Sequence, residues 1–305
     1  MDREASLDLS ARIGALIAER SPTVDFTEDD VRRAEAECAA DLAEMRELGL
    51  MRDTFREYYV IREFCARYGV TDEADGHYLL RLFAEARELD ADDFLRDPYL
   101  RNIRVPIVSD GDILLTTARY GRGEIFQYDM PDFAAPLVVP KLGFFDRAVE
   151  FPAIYEDGVP WVSVIPSEIN SMSPDVPAAR GRVLVLGLGL GYYAYRVSEL
   201  EAVESVTVIE INPKIAAIFR EHILPQFANA AKVTVIEADA FMYLASLHGG
   251  EYDFCYADIW EGAVDGARAY LRIKAHEKRL GTTEFRYWIE PQIRAYLGVK
   301  RRDKP

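Results

Sequence analysis

At 305 residues the chain is long enough for two domains and a sizeable core, and its 50% hydrophobic and 29% charged content is that of a globular protein. A formal net charge of −16 repels phosphate backbones, which makes nucleic acid a poor candidate partner. No apolar run reaches the length of a membrane span, and Met1-Asp2-Arg3-Glu4 lacks the regions of a secretory signal, so a cytoplasmic protein without a membrane partner is expected. Cys38, Cys65 and Cys255 are odd in number and widely spaced, which predicts reduced thiols and no metal site.

Residues 1 to 105 read as a helical domain. Leu7, Leu9, Ile13, Leu16 and Ile17 recur near the helical period, and Ser21-Pro22 ends that run. Thr27 with Asp30 three residues on forms a variant capping box for a helix carrying Val31, Ala34, Cys38, Leu42 and Met45, which stops at Gly49. Further helices are predicted near 51–68, 76–90 and 91–97. Residues 106–175 form a small β-rich connecting segment, with strands expected at Ile113–Thr117, Glu124–Tyr128, Leu137–Val139 and Trp161–Ile165 among Pro and Gly punctuation.

From 176 to 305 strands and helices alternate. The strands are Val183–Leu186, Val206–Ile209, Val233–Ile236 and Phe254–Ala257, which implies a doubly wound, mostly parallel sheet with ligands at its carboxyl edge. Beyond Trp260 the pattern is helical, at Ala267–Arg279 and Ile289–Leu297, so a sheet truncated after its fourth strand is one expectation. The terminal stretch 300–304 is basic and reads as a solvated tail.

The strand ends carry the chemistry. Val183-Leu184-Val185-Leu186 empties into Gly187-Leu188-Gly189-Leu190-Gly191, where alternating glycines permit a sharp turn and close approach of a ligand. Glu210 closes the second strand, about 20 residues on, placed to accept both ribose hydroxyls. Asp239 and Asp258 end the third and fourth. Gly189-x-Gly191-x-x-Ala194 also fits a dinucleotide fingerprint, but that register starts two residues late and leaves Asp239 and Asp258 without a role.

In these residues the stretch 182–260 resembles the class I S-adenosylmethionine-dependent methyltransferases, and within them the spermidine synthase-like branch. The resemblance implies a Rossmann-like fold with S-adenosylmethionine as cofactor and S-adenosylhomocysteine as product. It implies cofactor binding by Gly187, Leu188, Gly189 and Gly191, by Glu210 with Ile211 at the ribose, and by Asp239 with Ala240 at the adenine amino group. A catalytic acid of spermidine synthases aligns with Asp258, and an acceptor-facing Glu aligns with Glu168. Tyr192, Trp260 and Glu261 would line the acceptor's mouth.

Two departures count against the branch's own aminopropyl transfer. The family's turn carries an Asp at the position of Leu190, where it binds the amino end of the decarboxylated cofactor. Its Asp-Ser-Ser-Asp-Pro continuation reads Asp258-Ile259-Trp260-Glu261-Gly262 here. The reading is therefore methyl transfer to a small-molecule acceptor, with an amine as the suggested class and a homodimer as a candidate assembly. Aminopropyl transfer and a non-catalytic protein of the same fold are the alternatives.

Overall fold

A computed structural model describes residues 1–47 and 54–298. Helices α1 (Arg3–Arg20), α2 (Glu28–Glu37), α3 (Ala39–Glu47), α4 (Arg56–Arg67), α5 (Val70–Glu73) and α6 (Gly76–Glu85) open the chain. Strand β1 (Arg87–Leu89) and the short helices α7 (Ala91–Leu95) and α8 (Pro98–Asn102) follow. Then come β2 (Val108–Asp110), β3 (Ile113–Tyr120), β4 (Phe126–Asp129), β5 (Lys141–Phe145), β6 (Val149–Glu156), β7 (Val159–Ser163) and α9 (Pro166–Met172). The remainder alternates: β8 (Gly181–Leu186), α10 (Tyr192–Ser198), β9 (Val203–Glu210), α11 (Pro213–Ile218), β10 (Val233–Glu237), α12 (Ala240–Ser246), β11 (Phe254–Ala257), α13 (Ala263–Glu277), β12 (Glu284–Tyr287) and α14 (Glu290–Tyr296). The predicted helix stop at Gly49 and the basic tail 300–304 lie outside the described residues.

The chain divides into two compact units of interleaved segments. The first takes Met1–Leu95, Arg119–Glu150 and Ile165–Asn170; the second takes Arg96–Ala118, Phe151–Val164 and the chain from Ser171 onward.

Local signals set the helix starts of the first unit. Asp2 accepts from the Ala5 N–H at 2.9 Å to begin α1. Thr27 and Asp30 form the predicted reciprocal capping box at α2, with bonds of 3.1 and 3.2 Å. The helix expected to run on through Leu42 is interrupted at Cys38, and α3 resumes after it. The core joins Val60, Ile61, Phe64 and Cys65 of α4 and Tyr78 and Leu82 of α6 to Leu142 and Phe144 of β5. Burying each such Phe contributes ~1.5–3 kcal/mol. The sheet of this unit runs β1-β5-β4; β5 pairs parallel to β1 and antiparallel to β4. The strand predicted at Leu137–Val139 in fact begins at Lys141.

In the second unit, β2-β3-β6-β7 form an antiparallel-edged sheet and β10-β9-β8-β11-β12 a five-stranded parallel one. The parallel order means the chain runs outward from β8 through β9 to β10, then crosses back to β11 and β12. This is the Rossmann-like doubly wound arrangement, with its switch point between β8 and β11.

The expectation of a sheet truncated after four strands is corrected here. β12 pairs parallel to β11 from Phe254↔Glu284 to Ala257↔Tyr287. It gives little sequence signal because it is short and lies at the sheet's edge, where one face stays polar. Glu284 and Arg286 share that face and pair at 2.7 Å, while the rings of Phe285 and Tyr287 lie together on the other.

Candidate active site

Four backbone hydrogen bonds carry the parallel sheet one step past its strands. The N–H groups of Ala238, Gly187, Asp258 and Trp288 donate to the carbonyls of Glu210, Ile209, Leu186 and Ala257, at 2.8 to 3.0 Å. They set Glu210, the glycine turn, Asp258 and Trp288 in one row along the carboxyl edge, with Asp239 one residue beyond it. Trp288 was not singled out from the sequence. Its indole donates to the Ser171 hydroxyl at 2.8 Å, a partner more than a hundred residues away that no local pattern reveals.

The turn is shaped by what its glycines lack. Gly187, Gly189 and Gly191 all hold positive φ, at 95°, 51° and 75°. A Cβ at Gly187 would overlap the carbonyl oxygen of Asp258, and one at Gly191 would overlap the Phe219 ring. At Gly189 it would stand 3.3 Å from Val162 of β7. Leu188 and Leu190 turn their side chains inward and are buried. The N–H groups of Gly189 and Leu190 have no acceptor among the described residues.

Glu210 is only 4% exposed. Its carboxylate accepts from the Leu188 N–H at 3.1 Å and the Asn212 N–H at 2.7 Å, tying the second strand's end to the glycine turn. Burial pushes its pKa up, and the N–H groups of Asn212, Leu188 and Ile211 oppose that shift. Ile211, beside it, is 69% exposed. Asp239 caps α12 by accepting from the Met242 N–H at 2.8 Å, and Ala240 is buried behind it.

Asp258 is half-buried where β11 ends at the switch point. Trp260 is buried against Gly266 of α13, and its indole N–H has no acceptor among the described residues. Glu261 is exposed, with its N–H donating to Asp265 at 2.9 Å. Tyr192 is buried, and its hydroxyl is held by Asp97 at 3.0 Å and Arg196 at 2.7 Å. Glu168 lies on α9 in the stretch belonging to the first unit, where burial pushes its carboxyl up to about 7. In that unit the Tyr120 hydroxyl is pushed up by burial, with the charges of Glu124 and Glu168 adding to the shift.

Among the described residues no group of three or more His, Cys, Asp or Glu side chains is placed to hold a metal ion, and no helix is long and apolar enough to cross a membrane. The three cysteines are free thiols, and burial pushes that of Cys65 up to about 12.

Residues 173–272, about a third of the chain, match the family model of the spermine/spermidine synthase domain. No curated protein matches the chain. Among solved structures it is similar to the spermidine synthase of Thermotoga maritima, at 14% identity and a TM-score of 0.35, over 50% of this chain and 58% of that one. It is also similar to the precorrin-8w decarboxylase of Methanobacterium thermoautotrophicum, at 16% identity and a TM-score of 0.28, over 35% of this chain and 53% of that one. The chain thus spans little more than half the length of either protein. The family-model match supports a spermidine synthase-like segment around the glycine turn and the strand ends.

Proposed function

We propose that the protein is a spermidine synthase-like transferase that binds a sulfonium nucleoside, S-adenosylmethionine or its decarboxylated form, at the carboxyl edge of the parallel sheet. The observation that carries this reading is the tie between Glu210 and Leu188. One buried carboxylate braces the glycine turn and still has lone pairs for a ribose, since a carboxylate offers about four acceptor sites. The residues present fit such a ligand. The glycines let the turn close against Asp258, Val162 and Phe219, Asp239 spends one carboxylate oxygen on its cap, and Ile211 supplies an apolar face. The nucleoside, when bound, supplies an electrophilic carbon next to its sulfonium.

The chain's own residues orient the acceptor and take up its proton. Asp258 is assigned to hold the attacking amine, with Trp260 and Glu261 beside it in sequence. Glu168, whose carboxyl burial pushes up to about 7, is carried over from the resemblance as the second catalytic candidate, a base by that shift. Ala240 accompanies Asp239 at the adenine.

The family-model match favours aminopropyl transfer over the methyl transfer expected from sequence. Methyl transfer stays as a second reading on one observation: Leu190 is 2% exposed, so the turn offers no acid to the amino end of a decarboxylated nucleoside.

Calorimetric titration with S-adenosylmethionine, S-adenosylhomocysteine and decarboxylated S-adenosylmethionine in parallel tests both readings. Preference for the decarboxylated form establishes the aminopropyl donor. Tight binding of the first two establishes the methyl donor. Binding of none overturns the nucleoside site.

A further inference from the structure

We propose that Asp97 and Tyr99 are positioning residues that hold the glycine turn in its ligand-ready shape. They act through Leu190 and Tyr192 and do not themselves touch ligand. The inference rests on the reading of the turn as the nucleoside site.

The observations come from one short helix. Asp97 precedes α8, and its side chain is 9% exposed. Its Oδ1 caps α8, accepting from the N–H groups of Tyr99 at 2.8 Å and Leu100 at 3.4 Å. Its Oδ2 accepts from the Tyr192 hydroxyl and from Arg196, each at 3.0 Å. Tyr99 is fully buried, and its hydroxyl donates to the carbonyl of Leu190 at 2.6 Å. Asn102 donates to the Tyr195 hydroxyl at 2.8 Å, which completes the grip on α10.

The anchors fall on the two sides of Gly191. Leu190 is held by its carbonyl just before that glycine, and Tyr192 by its hydroxyl just after. Glycine at positive φ is the most freely rotating point of a chain, and this turn holds three such residues within five positions. Leu188 and Leu190 are apolar, so the turn has no polar side chain of its own with which to anchor itself. Fixing the backbone from outside lowers the ordering cost that a ligand would otherwise bear, which is preorganisation. The buried hydroxyl and carbonyl also satisfy each other.

Tyr99→Phe is the sharp test, because it keeps the ring contacts with Tyr192 and Tyr195 and removes only the bond to Leu190. Tyr270→Phe is the matched control; it removes a comparable phenol bond, to Glu290 at 2.7 Å, between α13 and α14. S-adenosylmethionine and its decarboxylated form are titrated into the full chain and each variant. Thermal midpoints and amide hydrogen exchange over 186–192 are measured without ligand.

The expected result is about tenfold weaker binding of the preferred nucleoside in Tyr99→Phe. Faster exchange over 186–192 accompanies it, and the control moves neither readout. Asp97→Asn, whose single carbonyl oxygen cannot both cap α8 and accept from Tyr192 and Arg196, follows Tyr99→Phe. Equal losses in Tyr99→Phe and Tyr270→Phe, or a lower midpoint with unchanged affinity and exchange, overturn the proposal. If the unmodified chain binds neither nucleoside, the site reading fails, and the hold on the turn is decided separately. The exchange data then report by themselves whether Tyr99 holds the turn.

Discussion

The carbonyl oxygen of Asp258 occupies the space that a side chain at Gly187 would need. These two residues directly follow the neighbouring parallel strands β8 and β11, and the N–H of Asp258 donates to the Leu186 carbonyl at 2.8 Å. Gly187 also holds φ at 95°. Gly187→Ala therefore meets a steric overlap and a strained backbone together, and strain of that kind alone costs about 1–3 kcal/mol. Gly14, inside α1, has no atom within 4 Å of its would-be Cβ and an ordinary helical backbone. Gly14→Ala is expected to stabilise by about 0.5–1 kcal/mol. Urea denaturation of both variants checks the pair; equal effects would remove the steric argument.

Removing the Glu210 carboxylate has two consequences. Two N–H groups, of Leu188 and Asn212, lose their acceptor, at a cost of about 1–3 kcal/mol for a buried donor left unpaired. Nucleoside affinity falls on the order of 10- to 100-fold in Glu210→Ala, because a charge-assisted bond to ribose is lost. Calorimetry on the folded variant decides it, and unchanged affinity would take Glu210 out of the site.

Asp258→Asn preserves side-chain shape while removing the charge assigned to the acceptor amine. Turnover against a panel of amines is expected to fall by about 10²–10⁴-fold. Donor affinity stays within about threefold, since the donor's own contacts are unchanged. A variant that retains turnover, or that loses donor binding in parallel, would assign Asp258 to structure.

Glu168 makes both stability and rate depend on pH near neutrality. Burial raises its carboxyl from an ordinary value of 4.5 to about 7 in the folded chain. Between those two values the folded state holds a proton that the unfolded state has released. Its contribution to stability is thus fully present below pH 4.5 and lost as pH rises through 7. Glu168→Gln should flatten the fall in thermal midpoint across that interval. As a proton acceptor, Glu168 should also impose a rate that rises with pH through about 7. An unchanged pH–rate profile in the glutamine variant would count against the catalytic assignment and leave the stability effect standing.

Much of the second unit could be read from sequence because its signals are local. The apolar run 183–186, the alternating glycines, and the acids at 210, 239 and 258 each declare themselves within a few residues of chain. So does the Thr27–Asp30 capping box. The strand ends observed at Leu186, Glu210, Glu237 and Ala257 fall within one residue of those expected.

Contacts between distant residues decided the rest. β12 is a strand because β11 offers it a parallel partner; its own four residues alternate polar and apolar, a run too short to declare a strand by itself. α8, with five residues, is too short to show a helical period, yet its Asp97 and Tyr99 grip the glycine turn about ninety positions later. Val162 packs over Gly189 only once β7 has joined its sheet. The sequence by itself determined where the chain can turn tightly and which carboxylates stand at strand ends, since φ preference and strand periodicity are properties of a few neighbouring residues. Tertiary structure alone decided what braces that turn and which edge extends the sheet, because burial and pairing depend on partners far along the chain.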